Sequence, residues 1–380
     1  MIFTTVGEIN EYRSESINPL LEPDTVFEVY SVPIYDTGHP EYLSGKEIGS
    51  TKQIVQKDDI LLCKINPRIN RVWIVSDESD QRNIASSEWI VIRNHSYNPQ
   101  YLAWYFRSEV FKSLMISEVT GIGGSLTRAQ PKRVATYPVP VLDRHEQDCI
   151  VDRLNRLHSV IQYRMMQLQK LDELVKARFV EMFGDLRNNP KGWPVYRFEE
   201  ITDIITDGEH ATPRRTDHGI YLLSARNVLD HALRLDDVDY IDQDEYERIA
   251  KRIIPQAGDV LISCSGSVGR CCTVPAGLKF QMVRSTALLR FKKMILPVYA
   301  EYMITSDDLQ EQINSSKTAS SQANLFQGKI AKLKGFVPPF TLQNEFAVFV
   351  SQVDKSKLSI QASLDQLETL KQSLMQEYFR

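Results

Sequence analysis

The chain of 380 residues consists of two similar halves, an internal sequence repeat. Matching segments return in the same order about 200 residues later, and only small insertions shift their spacing. An ordered series of this kind indicates tandem duplication, and a period of half the chain is too long for a solenoid repeat. The matched segments are 59–62 with 259–262, 99–101 with 297–299, 126–140 with 325–339, and Glu146 with Glu345.

A duplication at this scale predicts two domains of one kind, each followed by a linking element of one kind. The domains are expected at residues 1–142 and 188–340, and the linking elements at 143–187 and 341–380. Such a chain has approximate twofold symmetry, and a protein of that kind often binds a partner that is itself roughly twofold. Duplex DNA is a prominent partner of this type.

Each domain is expected to be a mixed α/β domain, so the fold class is α+β. β-branched and aromatic residues between polar breaks are typical of strands, and apolar residues at three- and four-residue spacing are typical of a helix. In the first domain these patterns predict strands within 25–35 and 59–75 and a helix over 98–117. In the second they predict strands within 220–228 and 259–274 and a helix over 297–314.

Each domain is followed by a segment with almost no glycine or proline, which predicts a long helix. Asp143 with Glu146 resembles a capping box, Gly184 follows the first helix, and Thr341 can cap the second. Both helices carry apolar residues at coiled-coil spacing. These residues are Leu154, Leu157, Ile161, Leu168, Leu171 and Val175 in the first helix, and Val353, Ile360, Leu364, Leu367, Leu370 and Leu374 in the second.

Two helices of equal length with matching stripes, separated by a domain that returns the chain, are expected to pair as an antiparallel coiled coil. The alternative is that each helix packs only on its own domain. A pairing would place Leu168 and Leu171 in one seam with Leu364 and Leu367. A helix of about 38 residues is about 57 Å long at 1.5 Å per residue, which is enough to hold two domains apart.

Composition and motifs exclude several classes of protein. With 42% hydrophobic and 25% charged residues, the chain is expected to be a globular, cytoplasmic protein with no membrane span. Five cysteines match neither a disulfide framework nor a zinc site, so neither a metal nor a cofactor is expected. The sequence has no phosphate loop, H-E-x-x-H motif or G-x-S-x-G elbow. The net charge of −4 means that any binding of DNA must be local.

Two polar loops at matching places in each domain are the candidate contacts with DNA. Arg, Lys, Asn, Gln and Ser side chains reach phosphates and base edges. Ordinary solvated loops are the alternative, but duplication at equivalent positions favours a shared role. The first-domain candidates are Lys64, Asn66, Arg68, Asn70, Arg71, Ser125, Thr127, Arg128, Lys132 and Arg133. The second-domain candidates are Ser265, Ser267, Arg270, Gln322, Asn324, Gln327 and Lys329, with Arg270 aligned to Arg71.

Three segments of the second domain resemble a known family: 207–213 (DGEHATP), 219–223 (GIYLL) and 258–262 (GDVLI). They resemble the target-recognition domain of specificity subunits in type I restriction-modification systems. The resemblance spans the whole chain, because that family has two such domains alternating with two long helices. It adds His210, Thr212, Arg214 and Arg215 as candidate DNA contacts, with a hydrogen-bonded structural role favoured for His210. The first domain departs from the pattern, since it lacks G-x-H-x-T-P.

The resemblance implies a subunit that catalyses nothing itself. It would read a bipartite asymmetric site in double-stranded DNA and recruit two methyltransferase subunits and, in the full assembly, the motor-nuclease subunits. Three alternatives stay open: a scaffolding protein whose coiled coil joins two protein-binding domains, a free-standing enzyme with unrecognised active-site residues, and the recognition subunit of another modification system. The base sequence does not follow from residue types, because recognition depends on loop geometry.

The spacer role expected of the helices gives a first prediction. Two quasi-twofold domains on one side of a duplex must meet the same groove twice, which sets their half-sites about one helical turn, roughly 34 to 36 Å, apart. Lengthening both helices by matched heptads should widen the unspecified gap and leave each half-site unchanged. Sequencing the modified bases of hosts that carry each version measures both quantities. An unchanged gap would contradict the spacer role.

Overall fold

The structure of the protein is a computed structural model that describes residues 2–76, 78–117, 127–185, 187–316 and 324–380. The chain divides into two compact units, Met1–Met165 with Ala362–Arg380, and Met166–Gln361. Each unit therefore holds one mixed α/β domain and part of both long helices. Among the described residues, no helix combines the length and the apolar character needed to cross a membrane.

The first domain is built around a strand, Ile60–Cys63, that is buried at every position. A short continuous apolar run is typical of a strand covered on both faces. The strand lies in a three-stranded sheet of order Val72–Ile74, Ile60–Cys63, Trp89–Ile92, beside a five-stranded sheet of order Ser16–Ile17, Lys52–Ile54, Arg82–Ala85, Val26–Tyr30, Glu41–Ser44. Ile2–Thr5 pairs with Pro138–Val141. The α-helices are Val6–Ile9, Pro99–Arg107, Glu109–Ser117 and Pro131–Val134, and the 3-10 turns are Pro19–Leu21, Tyr35–Thr37, Gly45–Glu47 and Pro67–Ile69.

The second domain repeats this plan around Val260–Ser263, which is again buried at every position. Its four-stranded sheet has the order Thr202–Asp207, Thr286–Phe291, Val260–Ser263, Cys271–Thr273, and its three-stranded sheet the order Asp239–Ile241, Ile220–Leu223, Phe280–Met282. Val195–Arg197 pairs with Lys334–Phe336, and Val228–Leu229 with Ala232–Leu233. The α-helices are Phe198–Ile201, Gln243–Ala250, Pro297–Ile304, Asp307–Ser316 and Gln327–Ile330, with a 3-10 turn at Ala225–Asn227.

A buried carboxylate precedes the central strand of each domain and is neutralised in the same way. Asp59 is 1% exposed and accepts two hydrogen bonds from Arg93, at 2.7 and 2.6 Å. Asp259 is 2% exposed and accepts two from Arg290, both at 2.7 Å. A buried charge is costly unless it is paired and hydrogen-bonded, and a bidentate arginine meets both conditions. The pair fixes the start of each central strand.

The segment predicted as one helix in each domain is two helices in the structure. Ser108 separates Pro99–Arg107 from Glu109–Ser117, because its backbone is extended at φ −67° and ψ 152°. Its Oγ then accepts the backbone N–H of Phe111 at 3.2 Å. Serine is tolerated in a helix but favoured at an N-cap, so apolar periodicity alone did not reveal the break. Pro297–Ile304 and Asp307–Ser316 show the same division.

The two long helices are Arg144–Phe183 and Phe340–Tyr378. The predicted capping box of the first helix is confirmed: Asp143 Oδ1 accepts the N–H of Glu146 at 2.8 Å, and Glu146 Oε2 accepts the N–H of Asp143 at 3.2 Å. The predicted cap of the second helix is wrong. Thr341 lies inside that helix, which begins at the preceding residue, directly after two prolines.

Two buried glutamines correct the alignment of the repeats near the helix starts. Gln147 and Gln343 each accept the N–H of the residue before the helix Pro99–Arg107 or Pro297–Ile304, at 2.7 and 2.8 Å. Each also donates to the carbonyl five residues before it, at 2.9 Å. Gln343 is therefore the counterpart of Gln147, three residues away from the register that matches Glu146 with Glu345 and 126–140 with 325–339. The alignment read from the sequence matches a glutamate and a proline between the repeats. The buried hydrogen bonds of the glutamines instead follow the alignment of Gln147 with Gln343.

The helices pair antiparallel, as the sequence predicts. In the unit of the first domain, the start of the first helix meets the end of the second, where Arg153 donates to the Tyr378 hydroxyl at 3.1 Å. In the unit of the second domain, the end of the first helix meets the start of the second, and the rings of Phe183 and Phe346 lie 5.5 Å apart. Start meets end in both units, so the two helices run in opposite directions.

Eleven of the twelve residues of the predicted apolar stripe are buried or half-buried. Leu154, Leu157, Ile161, Val175 and Val353 are buried, and Leu168, Leu171, Ile360, Leu364, Leu367 and Leu374 are half-buried. Leu370 is 49% exposed, so it lies outside the buried part of the stripe, and its place in a helix–helix or partner interface stays a prediction. Since a helix has 3.6 residues per turn, the inner position one turn after Leu367 falls to Lys371, whose ammonium lies 5.9 Å from the centre of the Trp104 ring. Direct contact of Leu168 and Leu171 with Leu364 and Leu367 stays a prediction.

The aromatic cluster between the helices gives a stability prediction. Phe346 is fully buried, and its ring contacts Phe179, Phe183 and Tyr302. Phe346→Ala should lower the free energy of unfolding by about 3 to 5 kcal/mol, because it removes buried apolar area and leaves a cavity. Val348→Ala, on the exposed side of the same helix, is the control and should change it by less than about 0.5 kcal/mol. Urea unfolding of both variants measures the difference, and similar small effects would contradict this packing.

Candidate nucleic-acid interface

The two candidate loops of each domain are joined by the same backbone contact. Ile65 forms an antiparallel bridge with Arg128 in the first domain, and Ser265 forms one with Asn324 in the second. In both domains the residue after the second partner donates its N–H to the carbonyl of the residue before the first, at 2.8 and 2.9 Å. Each bridge makes one surface from two distant segments. We call residues 64–71 with 127–133 the first loop pair, and 264–270 with 324–330 the second loop pair.

Two asparagines shape the loop 64–71. Asn66 and Asn70 have left-handed backbones, with φ of 46° and 51°, on either side of the turn Pro67–Ile69. Asparagine enters this region more readily than most residues other than glycine. The Asn70 side chain also donates to the Phe106 carbonyl at 3.1 Å, which fixes the loop to the end of the neighbouring helix. Arg68 is exposed on the turn between the two asparagines.

The cations of the first loop pair differ in what holds them. Lys64 donates to a backbone carbonyl at 2.6 Å, and Arg128 is ion-paired with Glu88 at 3.3 Å. Arg71 is half-buried, and its Nε has no hydrogen-bond partner among the described residues. Arg68, Lys132 and Arg133 are exposed. Exposed cations of this kind suit contacts with phosphate, which position a protein on DNA.

One candidate is buried, and two others lie outside the residues that the structure describes. Thr127 is buried at 7% exposure, so its hydroxyl does not face solvent and its carbonyl instead accepts the N–H of Asn66 at 2.9 Å. The structure thus removes the Thr127 side chain from the candidate contacts. Ser125 and Gln322 lie outside the described residues.

The second loop pair borders a cleft of about 590 Å³, which we call the second-domain cleft. It is lined by Asp207, His210, Cys264, Ser265, Arg284, Ser285, Asn324, Leu325, Phe326 and Gln327. Four predicted residues from three segments meet here: His210, Ser265, Asn324 and Gln327. Thr212, Ser267, Arg270 and Lys329 are not part of this lining. Amide, hydroxyl and guanidinium groups together with a carboxylate provide the donors and acceptors that read base edges.

A glycine fits the segment 207–213 to the cleft. A Cβ on Gly208 would lie 2.3 Å from the Met282 carbonyl oxygen, so a larger residue cannot occupy this position without moving the backbone. His210 Nε2 then lies 2.8 Å from Asp207 Oδ2, and Asp207 Oδ1 accepts from Arg252 at 2.5 Å. This bonding agrees with the structural role favoured for His210. Its ring is nevertheless exposed at the edge of the cleft.

Arg214 and Arg215 are exposed but ion-paired, with Asp242 at 2.8 Å and Asp239 at 3.1 Å. Neither lines the second-domain cleft. Exposed ion pairs contribute about 0 to 1 kcal/mol, so a DNA phosphate can replace either carboxylate at small cost. The two arginines therefore suit phosphate contacts better than base contacts.

Sequence reasoning missed three residues that line the cleft: Arg284, Ser285 and Phe326. Ser285 and Glu88 hold equivalent positions in the two domains. The Ser285 carbonyl accepts the N–H of Cys264 at 2.7 Å, and the Glu88 carbonyl accepts the N–H of Lys64 at 3.1 Å. The sequence repeat could therefore have pointed to Ser285. No duplicated pattern marks the other two. Phe326 is 57% exposed, and Arg284 is also exposed.

The described residues contain no cluster of three or more His, Cys, Asp or Glu side chains placed to hold a metal ion. Four cysteines are buried and Cys149 is exposed. Burial raises the pKa of Cys264, beneath the cleft, to about 12. Burial is also the main cause of the raised pKa of Cys63, Cys271 and Cys272. These thiols are packed in the core of their domains.

A thiol-labelling experiment tests this packing. The thiolate is the reactive form, so at about pH 8 Cys149 should react with an alkylating reagent long before the other four cysteines, which should react only after unfolding. Mass spectrometry of alkylated peptides, with and without denaturant, measures each site. Cys149→Ser should abolish the fast phase. Rapid labelling of Cys264 in the folded protein would show that the floor of the cleft is open.

No protein-family model matches the chain. A curated protein of Methanocaldococcus jannaschii, whose assignment as the specificity subunit of the type I restriction enzyme MjaX is itself provisional, is 24% identical over 222 residues. The match covers 57% of this chain and 50% of that protein, so the chain spans about half the length of the curated relative it matches.

Two solved structures are similar over the whole chain. One, from a study of complex assembly and conformational transition of the type I R-M system, has a TM-score of 0.61 and 19% identity and covers 100% of this chain and 97% of that chain. The other, the type I restriction-modification S subunit from M. genitalium, has a TM-score of 0.55 and 12% identity and covers 100% and 96%. The chain has the fold of these two proteins, and the resemblance found in its sequence is confirmed.

Proposed function

We propose that the chain is the DNA-reading specificity subunit of a type I restriction-modification complex. Each domain reads one half of a bipartite asymmetric site in double-stranded DNA. The chain catalyses nothing itself, and it recruits two methyltransferase subunits and, in the full assembly, the restriction subunits that carry motor and nuclease activity.

The observation that carries this proposal is the duplicated loop bridge. In each domain one backbone bridge joins two polar loops near the end of the buried central strand, Ile60–Cys63 or Val260–Ser263. The bridge is Ile65 with Arg128 in the first domain and Ser265 with Asn324 in the second. The side chains that the two bridges present are different. One frame with two sets of polar side chains is what two unlike half-sites require, since hydrogen bonds to base edges carry the sequence information.

Exposed apolar side chains on the long helices support the recruitment of protein partners. Tyr163 and Met165 of the first helix are 66% and 50% exposed, and Leu358 of the second is 71% exposed. Large apolar side chains that remain in solvent are available for contact with other proteins. The helices thus offer area for methyltransferase subunits that the recognition loops do not use.

Reconstitution tests the proposal. The purified chain alone should transfer no methyl groups to DNA, whereas the chain with the methyltransferase subunit of its host should methylate a two-part motif. Methyl incorporation by each protein alone and by the pair, followed by sequencing of the modified bases, measures this. The methyltransferase subunit alone is the control. Methylation or cleavage by the chain alone would favour a free-standing enzyme, and a pair that forms without binding DNA would favour a scaffold.

A further inference from the structure

We propose that the first loop pair and the second-domain cleft hold DNA by different chemistry. The first loop pair anchors on phosphates through its cations, whereas the second-domain cleft reads bases through its polar groups and the exposed ring of Phe326. This inference rests on the proposed DNA-reading function. It adds that phosphate contacts and base contacts are made by different sites, which we call the division of contacts.

Matched positions of the two loop pairs differ in charge. The bridges align Arg128 with Asn324, and four residues further on they align Lys132 with Gly328. In the other loop, the region of Arg68 corresponds to the uncharged residues 266–269 (GSVG). The first loop pair carries six lysines and arginines, and the second carries two. Neither loop pair contains an acidic residue, so this difference is also one of net charge.

Neighbouring charges reduce this difference but do not remove it. Glu88 offsets Arg128 in the first domain, and Arg284 adds one cation to the second-domain cleft. The carboxylate of Asp207 lines that same cleft. Arg68 and Lys132 remain exposed, and neither is ion-paired with another described residue. Those two side chains are therefore the cations that the second loop pair lacks.

Phe326 gives the second-domain cleft an apolar side chain that can contact a base. It precedes the short helix Gln327–Ile330, at the place that Gln130 occupies before Pro131–Val134 in the first domain. Its ring is 57% exposed beside Ser265 and Asn324. In the major groove an apolar side chain contacts the methyl group of thymine, and hydroxyl and amide groups bond the neighbouring base edges. The cleft thus combines both kinds of base contact.

The two chemistries leave separate signatures. Each phosphate neutralised by a cation releases counterions and adds about 0.9 to the slope of log affinity against log salt concentration. A base contact instead changes the preference for one base at one position. Variants of the first loop pair should therefore change the salt slope, and variants of the second-domain cleft should change base preference.

The test uses the full chain in complex with its methyltransferase partner. One probe is a duplex of fixed arbitrary sequence, titrated at several salt concentrations, and the other is a randomised duplex library. The double variant Arg68→Gln with Lys132→Gln should lower the salt slope by about 1.8, for two lost phosphate contacts, and leave base preference unchanged. Phe326→Ala should leave the slope unchanged and reduce the preference for thymine at one position roughly tenfold.

Matched variants serve as controls. Gly328→Lys restores in the second domain the cation that Lys132 supplies in the first. A Cβ at this position would meet no other described segment within 4 Å. It should raise the salt slope by about 0.9 without changing base preference. Gln130→Ala, at the first-domain position equivalent to Phe326, should leave the thymine preference that Phe326 confers unchanged.

The outcomes separate this inference from the function on which it rests. A wild-type complex that binds neither probe would overturn both. A complex that binds, but in which the double variant changes base preference or Phe326→Ala changes only the salt slope, would overturn the division of contacts and leave the DNA-reading function standing. Equal effects of the two variants on both readouts would also overturn the division of contacts.

Discussion

The structure depends on one buried strand in each domain. Ile60–Cys63 and Val260–Ser263 are covered on both faces, and the carboxylate before each strand is locked by a bidentate arginine. A strand in that position cannot shift without exposing apolar area or leaving a buried charge unpaired. The loop that follows it therefore starts from a fixed point. This explains how two domains with different side chains keep the same loop bridge.

The residues that stabilise this frame differ from the exposed residues proposed to contact DNA. Exposed substitutions away from special backbone positions usually change stability by less than about 0.5 kcal/mol, whereas truncations in a packed core cost several times more. Arg68, Lys132 and Phe326 are exposed, so the fold does not set their identity. Asn70 and Gly208 are different, because one bonds a helix end and the other fits against a carbonyl. Their identity is set by the fold.

The sequence predicted the duplication, the fold class and the antiparallel helices because these rest on long patterns. It failed where one side chain decides the outcome. The extended backbone at Ser108 divides a segment that apolar periodicity predicts as one continuous helix. The hydrogen bonds of Gln147 and Gln343 define an alignment of the two repeats that differs from the one read from the sequence. Within the cleft, Arg284 and Phe326 went unnoticed because nothing in the first domain repeats them. Short-range geometry of this kind is invisible to a pattern of residue types.

The long helices are part of the domains and not only a link between them. Phe379, near the end of the second helix, is buried in the core of the first domain against Tyr101 and Tyr105. In the second domain one apolar cluster contains Phe346 of the second helix together with Cys264 at the base of the cleft. Packed interiors have low compressibility and transmit displacement. In the second domain, the long helix and the base of the cleft therefore share one packed core.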